Sequence, residues 1–393
     1  MLEKLQSQPA DALLALIKMY ADDEREDKID LGVGVYRTGE GATPVFSAIK
    51  GAETRLLEQQ DSKSHLGPEG DMGFVQALMP YVFGEDATMG GRIAGMQTPG
   101  GTGAVRLALA LAQRAGAERV HLGLPSWPNH VQILEDLGME AVPFDHANAD
   151  GSANLAALIA AIDGAAPGDM VLLHGCCHNP TGIDYTPEDW DVIAQALERN
   201  GVLPLLDIAY QGLGRGLDED VSGVRGVLAA VPEALIAYSC DKNFGLYRDR
   251  VGAFYVMAQD GGTLDTILSN ANALARATWS MPPDHGAAVV RIALRDPDLT
   301  REWRTELDGM RDRMRDVRRQ LAVADSDAPG LNLAALTEQN GLFAVLPLDR
   351  GQIAALREEH AIYMAGSGRI NIAGLHVGNI GKFIAALADV TQR

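Results

Sequence analysis

Basic residues are scarce in this chain of 393 residues: 33 Lys and Arg stand against 53 Asp and Glu, a formal charge of −20. That field repels a phosphate backbone or an anionic membrane, so nucleic acid and membrane are not expected as partners. It leaves room for a local cluster of arginines inside a cleft. Cysteine is scarcer still. Cys176, Cys177 and Cys240 are an odd number with no CxxC, so no disulfide framework is expected. No apolar run approaches the ~20 residues of a membrane span. The N-terminal patch "ALLALIKMY" is broken by Lys18 and runs into the acidic "ADDERED", unlike a secretory leader. Internal repeats and low-complexity tracts are also missing. The expectation is a soluble cytoplasmic protein.

The composition, 47% hydrophobic and 22% charged, is that of a globular chain with ample material for a core. At about 150 residues per domain the length suggests two domains or three. A short amphipathic helix, apolar at Leu13, Leu14, Leu16 and Ile17, opens the chain, and the Gly-rich "LGVGVYRTGEG" (31–41) after it excludes a helix there. From 44 to 297, apolar strand-like runs at 119–124, 169–177, 201–210, 234–240 and 251–257 alternate with helical stretches at 104–115, 129–137 and 187–200. Thr186 before Pro187, with acidic residues in the first turn, is a well-formed helix start. Such alternation predicts an α/β domain, a mostly parallel sheet covered on both faces. From 298 to 393 the pattern changes to one long charged helix, with Trp303, Leu307, Met310, Met314, Val317 and Leu321 at helical spacing, and then a smaller α+β region.

Four segments of the α/β region could carry chemistry. "TPGGTGAVRLALALAQ" (98–113) puts Gly100, Gly101, Thr102 and Gly103 ahead of a helix, where backbone N–H groups and the helix dipole suit an anion. It lacks a P-loop lysine and dinucleotide spacing, and a merely structural glycine turn reads the same way. "HGCCHNPTG" (174–182) crowds two His and two Cys together. On a strand, adjacent Cys176 and Cys177 would face opposite ways and match no zinc spacing, so no metal is expected and buried thiols are. Asn179 and Asp207 end apolar strands, at the sheet edge where α/β proteins bind ligands. Asp207 could be a loop carboxylate, a partner for a cationic ring nitrogen or an aid to a metal. Lys242, followed by Arg248 and Arg250, is either a solvated lysine or an amine of lowered pKa fit for nucleophilic work. Together, a phosphate cradle, Asp207, Asn179 and Lys242 form the set that pyridoxal phosphate requires.

The ordered strings "QTPGGTGA", "PSWPNH", "HGCCHNPTG", "DIAYQGLGRGLDED", "KNFGLYRDRVG", "PPDHGA" and "SGRINIAG" run through almost the whole chain. On them the chain resembles the class I, fold type I pyridoxal-phosphate aminotransferases, in the aspartate and aromatic amino acid group. The resemblance implies a seven-stranded-type, mostly parallel sheet flanked by helices as the large cofactor domain (44–297). It also implies an N-terminal arm with part of a small domain (1–43), and an interdomain helix with a C-terminal small domain (298–393). The implied activity is ping-pong transfer, via pyridoxamine phosphate, of an amino group between a dicarboxylic or aromatic L-amino acid (aspartate, glutamate, tyrosine, phenylalanine) and a 2-oxo acid such as 2-oxoglutarate. A lyase or decarboxylase on the same fold, or a non-catalytic binding descendant, is the alternative.

By the same resemblance Lys242 carries the cofactor and shuttles the proton, and Asp207 holds the ring nitrogen protonated. Asn179 and Tyr210 bind the phenolic oxygen, and Trp127 stacks on the ring. His130 and His174 stand behind. Gly101, Thr102, Ser239 and Arg250 take the phosphate. Arg369 takes the substrate α-carboxylate, bidentate. Gly34 and Phe343 line the substrate pocket, and Arg276 comes from the neighbouring subunit of a homodimer to grip a distal carboxylate. Three departures from the pattern stand out. His65 in "SKSHLGPEG" replaces the tyrosine that reaches across the dimer to the phosphate. Asp241 replaces the Ser or Thr before the lysine. Trp279 and Met281 replace Tyr and Asn in "ATWSMPP". An ionised Asp241 beside a phosphate needs a counter-charge, and the expectation is that His65 of the neighbouring subunit, as imidazolium, bridges the two.

Overall fold

The structure, a computed structural model, describes residues 1–7, 12–324 and 328–393. Helix α1 (Ala12–Asp22) and strand β1 (Ile29–Asp30) open the chain, followed by α2 (Ser47–Gln59) and α3 (Met72–Phe83). Strands and helices then alternate as β2 (Ile93–Pro99), α4 (Gly100–Arg114), β3 (Arg119–Leu124), α5 (Pro128–Leu137), β4 (Glu140–Asp145), α6 (Leu155–Asp163) and β5 (Met170–His174). The alternation continues with α7 (Pro187–Asn200), β6 (Leu203–Ile208), α8 (Ser222–Ala230), β7 (Ala234–Ser239) and β8 (Val251–Met257). Helices α9 (Leu264–Thr278), α10 (Asp284–Arg295) and α11 (Pro297–Val323) precede β9 (Phe343–Val345), α12 (Arg350–His360), β10 (Ile362–Tyr363), β11 (Arg369–Asn371) and α13 (Ile380–Thr391).

The chain divides into two compact units. The larger holds Pro44–Arg313 and 338–341, the smaller Met1–Thr43, Met314–Thr337 and Leu342–Arg393, so the division falls inside α11. In the larger unit seven strands form one sheet in the order β2-β8-β7-β6-β5-β3-β4. All neighbours are parallel except β8, which runs antiparallel to both β2 and β7. Every residue of β7 and β8 is buried, as a sheet covered on both faces requires. Two strands were not legible from the pattern. The sequence of β2, IAGMQTP, is poor in β-branched residues, and Gly95 is needed there because a Cβ would stand 2.3 Å from the Tyr255 ring. Strand β4 is a half-exposed edge and lacks a continuous apolar run. The helix start read at Thr186 is present as a reciprocal cap: Thr186 accepts from the Asp189 N–H at 3.1 Å, and Asp189 accepts from the Thr186 N–H at 2.9 Å.

The smaller unit carries two short sheets, β1 parallel to β10 and β9 antiparallel to β11. In α1 the expected apolar stripe is narrower than the sequence suggested. Leu16 is buried, next to Gly32, where a Cβ would stand 2.2 Å from the leucine Cδ2, while Leu14 is 66% exposed and Ile17 39%. Among the described residues no helix is long and apolar enough to cross a membrane.

Candidate active site

Parallel strands end at one edge of the sheet, and that edge collects the chemistry. Asp207 is the penultimate residue of β6, His174 closes β5, Ser239 closes β7, and Lys242 follows three residues later. The reversed sense of β8 brings its start, preceded by Arg250, to the same edge as the end of β2, where Gly100 and Gly101 open α4. The glycines are therefore the first turn of the helix itself, and Gly100 takes φ +70. Gly101, Thr102, Trp127, His174, Asn179, Asp207, Tyr210, Ser239, Lys242 and Arg250, ten of the residues singled out from sequence, line one cavity of about 160 Å³ with Ala209 and Asp241.

Each polar group has a visible cause for its state. Asp207, 5% exposed, accepts from His130 Nε2 at 3.0 Å. His130 Nδ1 lies 2.8 Å from Ser126 Oγ, a positioning contact that the sequence did not single out. In a neutral ring whose Nε2–H donates to Asp207, Nδ1 accepts from the serine hydroxyl. Burial pushes the Asp207 carboxyl up, but the His130 hydrogen bond and the nearby His130, His174 and Lys242 outweigh it, so the group is held below the usual carboxylate value. Burial lowers the Lys242 amine, opposed by Asp241 and Asp207, which keeps it nearer to a usable base. His174 is drawn down to about 3 by burial, with His130 adding to the effect. Asn179 Nδ2 donates to the Tyr210 hydroxyl at 3.5 Å, and the Lys242 nitrogen lies 5.3 Å from the Tyr210 ring centre. Trp127 meets His130 edge-on with ring centres 5.1 Å apart.

The cavity fits a phosphorylated aromatic cofactor. Asn179 Oδ1 and His174 Nε2 are buried polar atoms with no hydrogen-bond partner among the described residues. A Cβ on Gly101 would stand 2.9 Å from the Ser239 Cβ, so the closeness of helix start and strand end depends on that glycine. A carboxylate at one end, an amine beside it and helix N–H groups with Arg250 at the other make a donor set matched to ring nitrogen, aldehyde carbon and phosphate.

Other expected residues lie elsewhere. In the smaller unit β9 and β11 bring three together: the Arg369 guanidinium lies 4.5 Å over the Phe343 ring, and a Cβ on Gly34 would stand 2.7 Å from Phe343 Cζ. Arg369 Nη2 donates to the Gly32 carbonyl at 3.0 Å. Arg276 is exposed in the last turn of α9 and donates to Ser280 Oγ. His65 is exposed and lines no part of the cavity.

Two expectations are corrected here. Asp241 is buried and already pairs with Arg250 of its own chain, so the counter-charge expected of a neighbouring His65 is supplied within the chain. Cys176 and Cys177 are not on a strand, because β5 ends at His174. They occupy a loop in which Cys177 takes φ +50, and their sulfurs lie within 4.8 Å of each other and of an Asp220 oxygen. The geometric reason given against a metal therefore fails. The Cys177 contact draws the Cys176 thiol down, but burial and the neighbouring Asp220 and Asp184 outweigh it and push it up to about 11, while burial raises Cys177 well above the usual value. Asp220 spends its oxygens on the N–H groups of Gly212, Gly214 and Arg215.

Comparison with known proteins bears on this cavity. Residues 26–387 match the family model described as aminotransferase class I and II. The tyrosine aminotransferase of Rhizobium meliloti (strain 1021) is 50% identical over 376 residues, 95% of this chain and 96% of that protein. The aspartate aminotransferase of Escherichia coli (strain K12) is 41% identical, over 99% of this chain and 100% of that protein. Among solved structures, an aromatic-amino-acid aminotransferase from Burkholderia pseudomallei covalently bound to pyridoxal phosphate superposes with a TM-score of 0.96. It is 31% identical, and the match covers 100% of this chain and 99% of that one.

Proposed function

The chain belongs to the class I and II aminotransferases, enzymes that use pyridoxal phosphate, and on that footing we propose that it moves an amino group between a dicarboxylic or aromatic L-amino acid and a 2-oxo acid. The observation that carries the reading is the single cavity holding Lys242, Asp207, Asn179, Tyr210 and the phosphate cradle. The bound cofactor supplies an electron sink for the pair of electrons left at the substrate Cα. Asp207, kept ionised by His130, pairs the ring nitrogen and holds its proton. Asn179 and Tyr210 hydrogen-bond the phenolic oxygen, and Trp127 covers the ring face. Gly101, Thr102, Ser239 and Arg250 anchor the phosphate. Lys242, whose amine burial makes less basic, would hold the cofactor's aldehyde carbon and, once displaced by the substrate amine, would be the base that takes the Cα proton.

Arg369, braced over Phe343 beside Gly34, is the group for a substrate α-carboxylate. Arg276 offers a second guanidinium for a distal carboxylate. Because it is exposed and absent from its own chain's cavity wall, it serves a homodimer in which each site borrows Arg276 from the other subunit, with His65 near the borrowed edge. The relatives named for tyrosine, aromatic amino acids and aspartate support a pocket open to both substrate kinds. A cytoplasmic place suits a chain whose described residues hold no membrane-spanning helix.

A half-reaction screen tests the proposal. Holoenzyme mixed separately with aspartate, glutamate, tyrosine and phenylalanine loses its cofactor absorbance band with each, and Lys242→Ala loses it with none. Loss with no amino acid at all in the wild type would overturn the reading.

A further inference from the structure

Asp241 stands in the wall of the phosphate cradle, where a hydroxyl-bearing residue would be the ordinary choice for a dianion. Its Oδ2 accepts from Arg250 Nη1, its Oδ1 accepts from the Val251 N–H at 3.1 Å, and its own N–H donates to Ser239 Oγ at 3.2 Å. A Cβ built on Gly100 would lie 2.6 Å from Arg250 Nη2 and 3.1 Å from Asp241 Oδ2, so helix start, guanidinium and carboxylate converge on one spot. Arg250 donates from Nη1 both to Asp241 and to the Tyr247 carbonyl, the latter at 3.2 Å, and holds φ +56 at the entry to β8.

The fixed charges in this corner do not offset a phosphate. Arg250 and Asp241 cancel, and the N-terminus of α4 adds roughly half a positive charge. A phosphate monoester brings about −1.5 to −2 at neutral pH. The charged and titratable groups around Asp241 are Arg250, the adjacent Lys242 and the Cys240 thiol, with Asp207, His174 and Tyr210 along the same cavity. Lys242 is the same in the wild type and in Asp241 variants, so its charge cancels when they are compared, and Cys240 is buried and protonated. Burial already raises Asp241's hold on a proton against the pull of Lys242 and Arg250. Two anions a few ångströms apart, out of water, do not both stay ionised.

We propose that Asp241 is a proton-accepting member of the cradle: ionised and holding Arg250 in place in the cofactor-free chain, it takes one proton from solvent as the phosphate binds and donates that O–H to a phosphate oxygen. The proposal rests on the cavity being the cofactor site. Its sign follows from linkage: the bound state holds one proton more, so cofactor affinity falls as pH rises, by up to about tenfold per pH unit.

Calorimetry of pyridoxamine 5′-phosphate binding to the cofactor-free full-length chain, in two buffers of different ionisation heat, counts the protons. This probe forms no bond to Lys242. The wild type is expected to take up close to one proton more than Asp241→Asn or Asp241→Ser, and both variants to lose the steep fall of affinity with pH. Equal uptake in wild type and variants overturns the proposal. A wild-type measurement stands beside them should the variants not fold. The phosphorus NMR resonance of the holoenzyme's bound phosphate is expected to shift between about pH 6 and pH 9, and a resonance fixed over that range overturns the proposal. If pyridoxamine phosphate does not bind at all, the cofactor reading falls and the proposal with it, an outcome distinct from binding without proton uptake.

Discussion

Lys242 has to be an amine in water-poor surroundings and still reach a proton on a substrate carbon. The burial that lowers it and the Asp207 and Asp241 carboxylates that hold it up are both in place. Replacing it with alanine removes the positioned base, so the half-reaction slows by at least about 10² to 10⁴-fold, read as the rate of cofactor band loss. His130 acts one step back, and His130→Phe leaves a buried Asp207 without its hydrogen-bond donor. The carboxyl is then governed by burial and rises, the ring nitrogen loses its ionised partner, and kcat falls more than KM rises, while His130→Asn, which keeps a donor, recovers part of the loss. Asp207 and Asn179 were legible because an Asp or Asn at a strand end needs no knowledge of its neighbours, whereas His130 and the role of Lys242 came with the family resemblance. Asp241 was legible only as an oddity. Its partner Arg250 is nine residues away across a turn, and spacing alone does not show that their side chains meet.

A second set of residues affects stability through pH. The His146 and His178 rings stack with centres 3.5 Å apart, and burial draws His146 down to about 4 and His174 to about 3. Both values lie below the ordinary 6.5 of the unfolded chain, so the unfolded state binds protons first as pH falls. The stability tied to the neutral rings is whole above pH 6.5 and drains toward pH 4 and 3 respectively. For His146 alone the loss at pH 5 is on the order of 2 kcal/mol. The denaturation midpoint therefore drops between about pH 7 and pH 5, and His146→Phe shows a smaller drop, measured by urea unfolding at both values.

At the scale of elements, local signals and packing divided the labour. Helix α7 announces itself by Thr186, Pro187 and Asp189, and the cap forms as read. Thr186→Ala costs about 1 kcal/mol, seen as a lower denaturant midpoint with an unchanged slope. Strands β5 to β8 were visible as apolar runs because both of their faces are covered. Strand β2 was not, since its place is set by what it packs against: Gly95 exists for the Tyr255 ring across the antiparallel pair with β8. That pair also explains the site, because only a reversed β8 can deliver Arg250 to the edge where β2 ends and α4 begins. Helix α1 erred the other way. Its sequence pattern offers four apolar positions, of which Leu16 is buried while Leu14 and Ile17 stay exposed, so periodicity marks a face without saying what covers it.

For the whole molecule, a charge of −20 and a cationic site are compatible because few acids are buried, while Lys242 and Arg250 line the cavity. The subunit arrangement is testable at this scale. Lys242→Ala and Arg276→Ala homodimers are each poor with aspartate, for different reasons. In the proposed arrangement, where the Lys242 of one chain meets the Arg276 of the other, a mixed dimer restores one site that has both residues. Activity with aspartate is then expected to rise on mixing and subunit exchange, and an unchanged sum would mean that Arg276 serves its own chain.

The central claim is that nitrogen moves from one carbon skeleton to another. Holoenzyme is given glutamate labelled with heavy nitrogen in its amino group, together with phenylpyruvate, and the products are read by mass spectrometry. The predicted result is phenylalanine carrying the label and 2-oxoglutarate in equal amount. Label released as ammonia, or carbon dioxide formed with no labelled phenylalanine, would contradict it.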